Sequence, residues 1–302
     1  MQSVVEPQEV SIQKGSLLKD FGEITKVRLS ISVVFSAIAG YLLGAPEIDF
    51  KILFMLAFGG YFMVGASNAF NQIIERDLDG LMDRTKNRPI PAGRMSVQTA
   101  FIIATVFTLA GIATLYVINP MTALFGAVSI FMYVSLYTPL KTKTPLSVFV
   151  GAFPGAIPFL LGWVAATNDF GIEAGTLFMI QFFWQFPHFW AIGWFLYDDY
   201  KKAGFFMLPN GKRDKGTATQ VVLYTLWTVL CSLIPALGIT GVFYISPVAA
   251  VIIGLLGVWF LFAAIKLYRK RDAKTARRLM LTSVSYITLL QIIYVADKFI
   301  NL

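Results

Sequence analysis

From residue 27 onward, long apolar runs alternate with short polar breaks, and each run is long enough to cross about 30 Å of hydrocarbon as a helix. The pattern predicts spans near 27–45, 52–74, 97–118, 121–139, 146–166, 175–196, 219–238, 246–267 and 279–296, nine in all. Only Asn119 and Pro120 separate the third from the fourth. One helix through both would run to roughly twice the length a bilayer needs, so a tight turn is expected there. Ahead of these spans, residues 1–24 are polar and mixed in charge, with neither the signal-peptide pattern nor an arginine-rich transit sequence. Within them Leu17, Leu18, Phe21 and Ile24 fall at helical spacing and predict a short amphipathic approach lying in the membrane interface. The expectation is an all-α polytopic membrane protein with about nine transmembrane helices around a central cavity. Residues 1–24 would form a cytoplasmic N-terminal segment, and 25–302 one transmembrane domain.

Composition agrees, with 57% hydrophobic and 14% charged residues and a mean hydropathy of +0.68; soluble chains carry about a quarter charged residues. A net charge of +8 raises the question of a nucleic-acid partner, and the placement of the charges answers it. With the N-terminus inside, 23 of the 25 lysines and arginines fall on one side of the membrane, and only Lys51 and Lys298 on the other. That asymmetry is a topology signal. It puts the N-terminus and the loops after the second, fourth and sixth spans in the cytoplasm and the C-terminus outside, in a cell membrane, with no role for nucleic acid. A single cysteine, Cys231, and a single histidine, His188, exclude a disulfide framework and a multi-histidine metal centre.

The most polar stretch, NAFNQIIERDLDGLMDRTKNRPIPAGR at 68–94, continues directly out of the second span. If the helix runs on, Asn71, Glu75, Asp79 and Asp83 lie along one slowly turning stripe, while Asp77 points away. Like charges at this spacing repel, so a cation is expected among them. Oxygen ligands with two or more carboxylates suit Mg²⁺, which typically completes its shell with water and phosphate oxygens. Arg84, Lys86, Arg88 and Arg94 follow, and guanidinium forks match phosphate geometry. The bland alternative is a solvated helix end on which the acids pair with Arg76 and Arg84. Ionisable groups at the end of a membrane span nonetheless point to function.

The sixth span ends in the same way, with Asp198 and Asp199 followed by Lys201 and Lys202. Two acid-tipped helices opening to one side would clamp a metal-bound diphosphate from both flanks; alternatively these acids merely pair with the lysines after them. Deeper in that span, His188 sits among Trp184, Phe186, Phe189, Trp190 and Trp194. Its imidazole suits an axial ligand to haem iron, a proton carrier or a packed core histidine. The aromatics are ordinary membrane residues, or else line the site of a large flat ligand. Pro154 and Pro158, with Gly151 and Gly155, predict a kinked, closely packed fifth span lining a cavity.

The pattern Asn71-xxx-Glu75-xxx-Asp79 followed by Arg84-Thr85-xx-Arg88-Pro89 resembles the first acidic motif of the intramembrane aromatic prenyltransferases, the UbiA superfamily. The segment Trp184-Gln185-xx-His188-Phe189-Trp190, with Asp199-Tyr200-xxx-Gly204 and Met207-Leu208-Pro209 behind it, is similar to the branch that farnesylates haem. The chain departs from the general pattern in carrying Gln72 where an aspartate is usual, Glu75 where many relatives have aspartate, and a less acidic second motif. The resemblance implies Mg²⁺-dependent transfer of a farnesyl group from farnesyl diphosphate to a vinyl group of protohaem IX, with addition of water, in the lipid bilayer and alongside other membrane enzymes of haem biosynthesis. It implies Asn71, Glu75, Asp79, Asp199 and Lys202 as catalytic residues, and Asn71, Glu75, Asp79, Asp198 and Asp199 as the metal set. Arg84, Arg88 and Lys201 are implied on the diphosphate, and His188, Trp184 and Trp190 on haem. A quinone-precursor or chlorophyll-like acceptor keeps the same transfer. From another class, a haem carrier or transporter would use the acids as an ion site, although such acids are expected near the midplane.

Overall fold

The structure is a computed structural model that describes residues 16–301; the first fifteen residues of the N-terminal segment lie outside it. Among the described residues there is no strand. Short α1 (Leu17–Ile24) leads into α2 (Val27–Gly44) and α3 (Phe50–Ile74), and α3 is followed after one residue by α4 (Arg76–Leu81). Next come α5 (Val97–Ile118) and α6 (Pro120–Phe131), which continues through a π-helical stretch at Met132–Tyr137 into α7 (Thr138–Leu140). The remainder is α8 (Ser147–Thr167), α9 (Ile172–Phe195), α10 (Tyr197–Lys202), α11 (Lys215–Leu233), α12 (Pro247–Lys270) and α13 (Ala273–Ile300). Among the described residues, eight spans are long and apolar enough to cross a membrane. The ninth, α9, is 24 residues long; its Gln181, Gln185, Pro187 and His188 lower its hydropathy because it faces protein rather than lipid. The nine spans expected from the sequence are therefore all present as helices.

The turn between the third and fourth spans is built by Asn119. Its side-chain oxygen accepts from the Thr122 backbone N–H at 2.7 Å, and its amide donates to the Val164 carbonyl at 3.1 Å. Pro120 then takes the first helical position, where its missing N–H costs nothing. α8 is the central helix, with 14 of its 21 residues buried. It can sit there because Gly162 meets the backbone of α2 at Ala37, and Gly40 of α2 meets the Phe159 carbonyl, leaving no room for a side chain at either glycine. Pro158 offers no N–H to the Pro154 carbonyl, and the Ser129 hydroxyl of α6 donates to it instead at 3.3 Å. Polar groups at the centre likewise satisfy one another across helices, with Gln291 of α13 donating to Ser36 of α2 at 3.0 Å and to Gln181 of α9 at 3.3 Å.

α1 matches the amphipathic approach, with Leu17 and Leu18 exposed and Ile24 buried. It is clamped from behind, because Arg94 donates to Asp20 at 2.8 Å and to Glu23 at 2.9 Å. Arg94 is thus a structural clamp and stands apart from the phosphate-binding arginines expected from its neighbours in sequence.

Candidate active site

Both acid-tipped helices break where the acids begin, and in the same way. Glu75, between α3 and α4, has φ −91° and ψ 7°; Leu196, between α9 and α10, has φ −99° and ψ 14°. These fall in the sparsely allowed bridge region where active-site residues are often found. The break leaves the four-residue spacing intact, since the Asp79 N–H still donates to the Glu75 carbonyl at 2.7 Å. The expected stripe therefore reaches Asp79. It does not reach Asp83: the chain turns extended at Met82, and Asp83 faces outward to Lys86 and Lys202. Those two ammonium groups hydrogen-bond its carboxylate and hold it down at about 2.

Asn71, Glu75 and Asp79 are all buried. Asn71 donates to Thr138 at 3.2 Å, on the short helix that follows the π-helical stretch, a feature often found at functional sites. Glu75 pairs with Lys141 at 2.7 Å and Asp79 with Arg88 at 2.6 Å. Thr85 bonds the Asp79 carbonyl at 2.9 Å and ties the following loop back onto the helix. The loops after the second, fourth and sixth spans do gather on one side, as the charge pattern requires. Lys141 crosses to Glu75, the Phe206 N–H donates to the Lys141 carbonyl at 2.8 Å, and Asp199 accepts from the backbone N–H groups of Asp83 at 2.8 Å and Arg84 at 3.2 Å.

Two cations in this cluster carry no periodic signal and were missed. Lys141 ends the fourth span, with its ammonium 4.6 Å from the centre of the Tyr137 ring. Burial works against its charge, but Glu75 together with Tyr133 and Tyr200 raises its pKa above the ordinary lysine value. Lys26 sits at the start of α2 in the left-handed region, with φ 48°. Burial first, then the positive charges of Arg88 and Lys141, lower its ammonium to about 7. The only available signal was that Lys26, Arg88 and Lys141 all fall at span ends or in loops that the charge pattern puts on one side. Gln72, which departs from the usual aspartate, also acquires a reason: its amide donates to the carbonyls of Glu23 at 3.2 Å and Ile24 at 2.9 Å, closing the end of α1. A carboxylate could donate to neither.

The second acidic pair divides. Asp199 joins the cluster through the backbone of the first loop. Asp198 does not: it is exposed and pairs with Arg213 at 2.7 Å, apart from the carboxylates with which it was expected to share a metal. Lys202 bridges Asp83 and, at 3.5 Å, Asp199. It staples the two acidic segments and is not directed at the buried carboxylates. Lys201 and Arg84 are exposed, and the Arg84 guanidinium lies 5.7 Å from the Tyr200 ring centre.

Among the described residues no three acidic, histidine or cysteine side chains converge as a metal cluster. Mg²⁺ does not need three, because it usually takes one or two carboxylates plus phosphate oxygens. Asp79 Oδ1 is buried with no hydrogen-bond partner. Burial raises the Asp79 pKa despite Arg88. Arg88 offsets only part of the cost of burying this carboxylate, and a divalent cation would offset more. Asn71, Glu75 and Asp79 fit such an ion.

Deeper in α9, Trp184 and His188 stack at 4.7 Å and face α13. Trp190 does not join them. It is buried against Phe186 and Tyr224, as two residues, or about 200°, of helical rotation from His188 dictate. A small apolar cavity of about 50 Å³ lies on the face of α3 below Asn71, lined by Met63, Ser67, Ile157, Pro158 and Leu161.

The UbiA prenyltransferase family matches residues 33–289 of the chain. The chain is 68% identical over 289 residues to a protoheme IX farnesyltransferase of Flavobacterium psychrophilum, covering 95% of the chain and 96% of the relative. It is 70% identical over 287 residues to a protoheme IX farnesyltransferase of Christiangramia forsetii, with the same coverage. Among solved structures, a digeranylgeranylglyceryl phosphate synthase superposes with a TM-score of 0.76 at 18% identity, covering 93% of this chain and 98% of that one. A UbiA homologue from Archaeoglobus fulgidus bound to GPP and Mg²⁺ superposes with a TM-score of 0.68 at 15% identity, covering 92% and 99%.

Proposed function

The chain belongs to the UbiA prenyltransferase family, and on that premise we propose that it transfers the farnesyl group of farnesyl diphosphate to a vinyl group of protohaem IX, with addition of water. The observation that carries this is the buried cluster of Asn71, Glu75 and Asp79 set among Lys26, Arg88 and Lys141, in a chain up to 70% identical to protoheme IX farnesyltransferases. The acids sit at helix ends and not at mid-span, which supports a diphosphate site over the ion site of a carrier.

Mg²⁺, held by Asn71, Glu75 and Asp79, would supply Lewis acidity toward the departing diphosphate. Arg88 and Lys141 contribute positive charge around the same group, preorganised because each is already held by an acid, and Lys26 adds its charge when protonated. The bond from the allylic carbon to diphosphate oxygen breaks, and its electron pair leaves with the diphosphate. The haem vinyl group forms the new carbon–carbon bond, and water adds to the resulting cation with loss of a proton. The farnesyl chain would run from Asn71 along the Ser67 and Met63 face of α3, with the apolar cavity there taking only a few of its carbons. The charge asymmetry supports a cytoplasmic site in the cell membrane, with the C-terminus outside.

The test is mass analysis of haem after incubation of the purified protein with farnesyl diphosphate, haem and Mg²⁺. Haem heavier by one farnesyl and one hydroxyl group is expected. Unmodified haem here, with prenylation in a parallel incubation in which a quinone precursor replaces haem, would overturn haem as the acceptor.

Lys26 gives the site a pH dependence. With its pKa lowered to about 7, the free amine loses its charge as pH rises through 7, whereas bound diphosphate favours the ammonium. Affinity for a non-reacting farnesyl diphosphate analogue should therefore be greatest below pH 7 and fall by up to about tenfold per pH unit above it. Lys26→Arg keeps the charge and should remove that component. Ionisation of the ligand itself affects both proteins equally, so parallel curves would remove Lys26 from the diphosphate site.

A further inference from the structure

Ser283 on α13 has no part in the diphosphate site, yet three groups converge on it. Its hydroxyl lies 2.6 Å from the Met280 carbonyl and 2.8 Å from His188 Nδ1, and its own carbonyl accepts from the Trp184 indole N–H at 2.7 Å. Ser283 is fully buried. A hydroxyl has one proton to give. Two oxygens 2.6 Å apart without a proton between them would set lone pair against lone pair, so that proton lies toward Met280. Toward His188 the hydroxyl can only accept, and Nδ1 must carry the imidazole proton. The lone pair is then on Nε2.

The opposite edge of the ring suits that outcome. His188 is only partly buried. Nε2 makes no hydrogen bond among the described residues and is not one of the sealed, partnerless polar atoms, so it opens onto accessible space. The ring itself cannot swing freely. It stacks on Trp184 with 19° between the planes, and Trp184 is in turn fixed to the Ser283 carbonyl. A neutral imidazole whose far nitrogen donates to an oxygen is the usual arrangement of a metal-ligating histidine, and that far hydrogen bond sets both tautomer and aim. His188 also lies eleven residues before Asp199, about three helical turns and about 16 Å of rise below the acidic cluster.

We propose that Ser283 is a positioning residue that holds His188 in its Nδ1-protonated form and aims Nε2 at the iron of the acceptor. This rests on haem being the acceptor. Iron held there fixes the plane of a flat ring that apolar contacts alone would allow to slide, and so limits which edge faces the prenyl cation.

The test titrates full-length protein in detergent with iron protohaem IX, following the Soret band, and with metal-free protoporphyrin IX, following its fluorescence. Ser283→Ala leaves the Nδ1 proton without an acceptor, and affinity for the iron porphyrin should fall about tenfold with a shifted Soret band. Affinity for metal-free porphyrin and for farnesyl diphosphate should be unchanged, which a merely structural loss would not allow. A second measurement avoids altering Ser283. In His188→Gly, imidazole added to haem-loaded protein should restore the Soret band at least tenfold more effectively than 1-methylimidazole, which has no N–H for Ser283. If wild type binds haem through His188 but Ser283→Ala matches it in spectrum and affinity, or the two imidazoles restore the band equally, the role of Ser283 is overturned and haem stands as acceptor. If wild type binds no haem at all, both fall together.

Discussion

Asp79→Asn should lower turnover by about 10²–10³-fold, while Asp77→Asn should stay within about twofold of wild type. The two carboxylates are two residues apart and have opposite environments. Asp79 is fully buried, bonded to Arg88 at 2.6 Å, and has a second oxygen with no protein partner. Asp77 points to solvent beside Arg76 at 3.6 Å. An asparagine at 79 preserves shape and one acceptor oxygen for Arg88 but removes the charge that a divalent cation requires. The loss should therefore appear in turnover and in the Mg²⁺ concentration needed for half-maximal rate, measured as diphosphate release, with a much smaller change in thermal unfolding. Glu75→Gln should behave similarly, with an added loss of stability because buried Lys141 would face a neutral amide. Equal loss for all three variants would mean that the face of α4 has been assigned wrongly.

That face was legible in the sequence because spacing survives a helix break when the hydrogen bond across it survives, as it does from Asp79 to Glu75. The periodicity argument failed one turn later, at Asp83, because nothing in a 3.6-residue repeat announces the extended turn at Met82. The spans were legible for a blunter reason: a bilayer tolerates few polar residues and sets a minimum length. The cations were harder to find. Lys26 and Lys141 come from helices far apart in sequence, and only the packing of α2, α3 and the π-helical stretch brings them to Glu75. The resemblance implied Trp190 beside His188 on haem, where helical phase turns Trp190 toward Phe186 and Tyr224 instead. Ser283 carries no motif at all; its importance comes from one hydrogen bond within α13, to Met280, and two to Trp184 and His188 that only the α9–α13 contact creates.

Asp199 and Asp198 should separate as sharply as Asp79 and Asp77, and the manner of the loss will say what Asp199 does. Its two oxygens accept from the backbone N–H groups of Asp83 and Arg84, so it grips the loop that carries Arg88 back to Asp79. Hydrogen bonds to a charged group contribute about 1.5–3 kcal/mol each; losing both in Asp199→Ala should lower kcat/KM for farnesyl diphosphate by about 10²-fold. If gripping the loop is its task, Asp199→Asn, which retains one acceptor oxygen, should recover part of that loss, and the Mg²⁺ requirement should not move in either variant. If Asp199 also ligates the ion, the asparagine variant should need markedly more Mg²⁺. Asp198→Ala and Arg213→Ala should each stay within about twofold, because an exposed pair of this kind contributes about 0–1 kcal/mol. A large loss at Asp198 with little at Asp199 would mean that α10 rotates when substrate binds, bringing the outer acid inward and releasing the loop that Asp199 now holds.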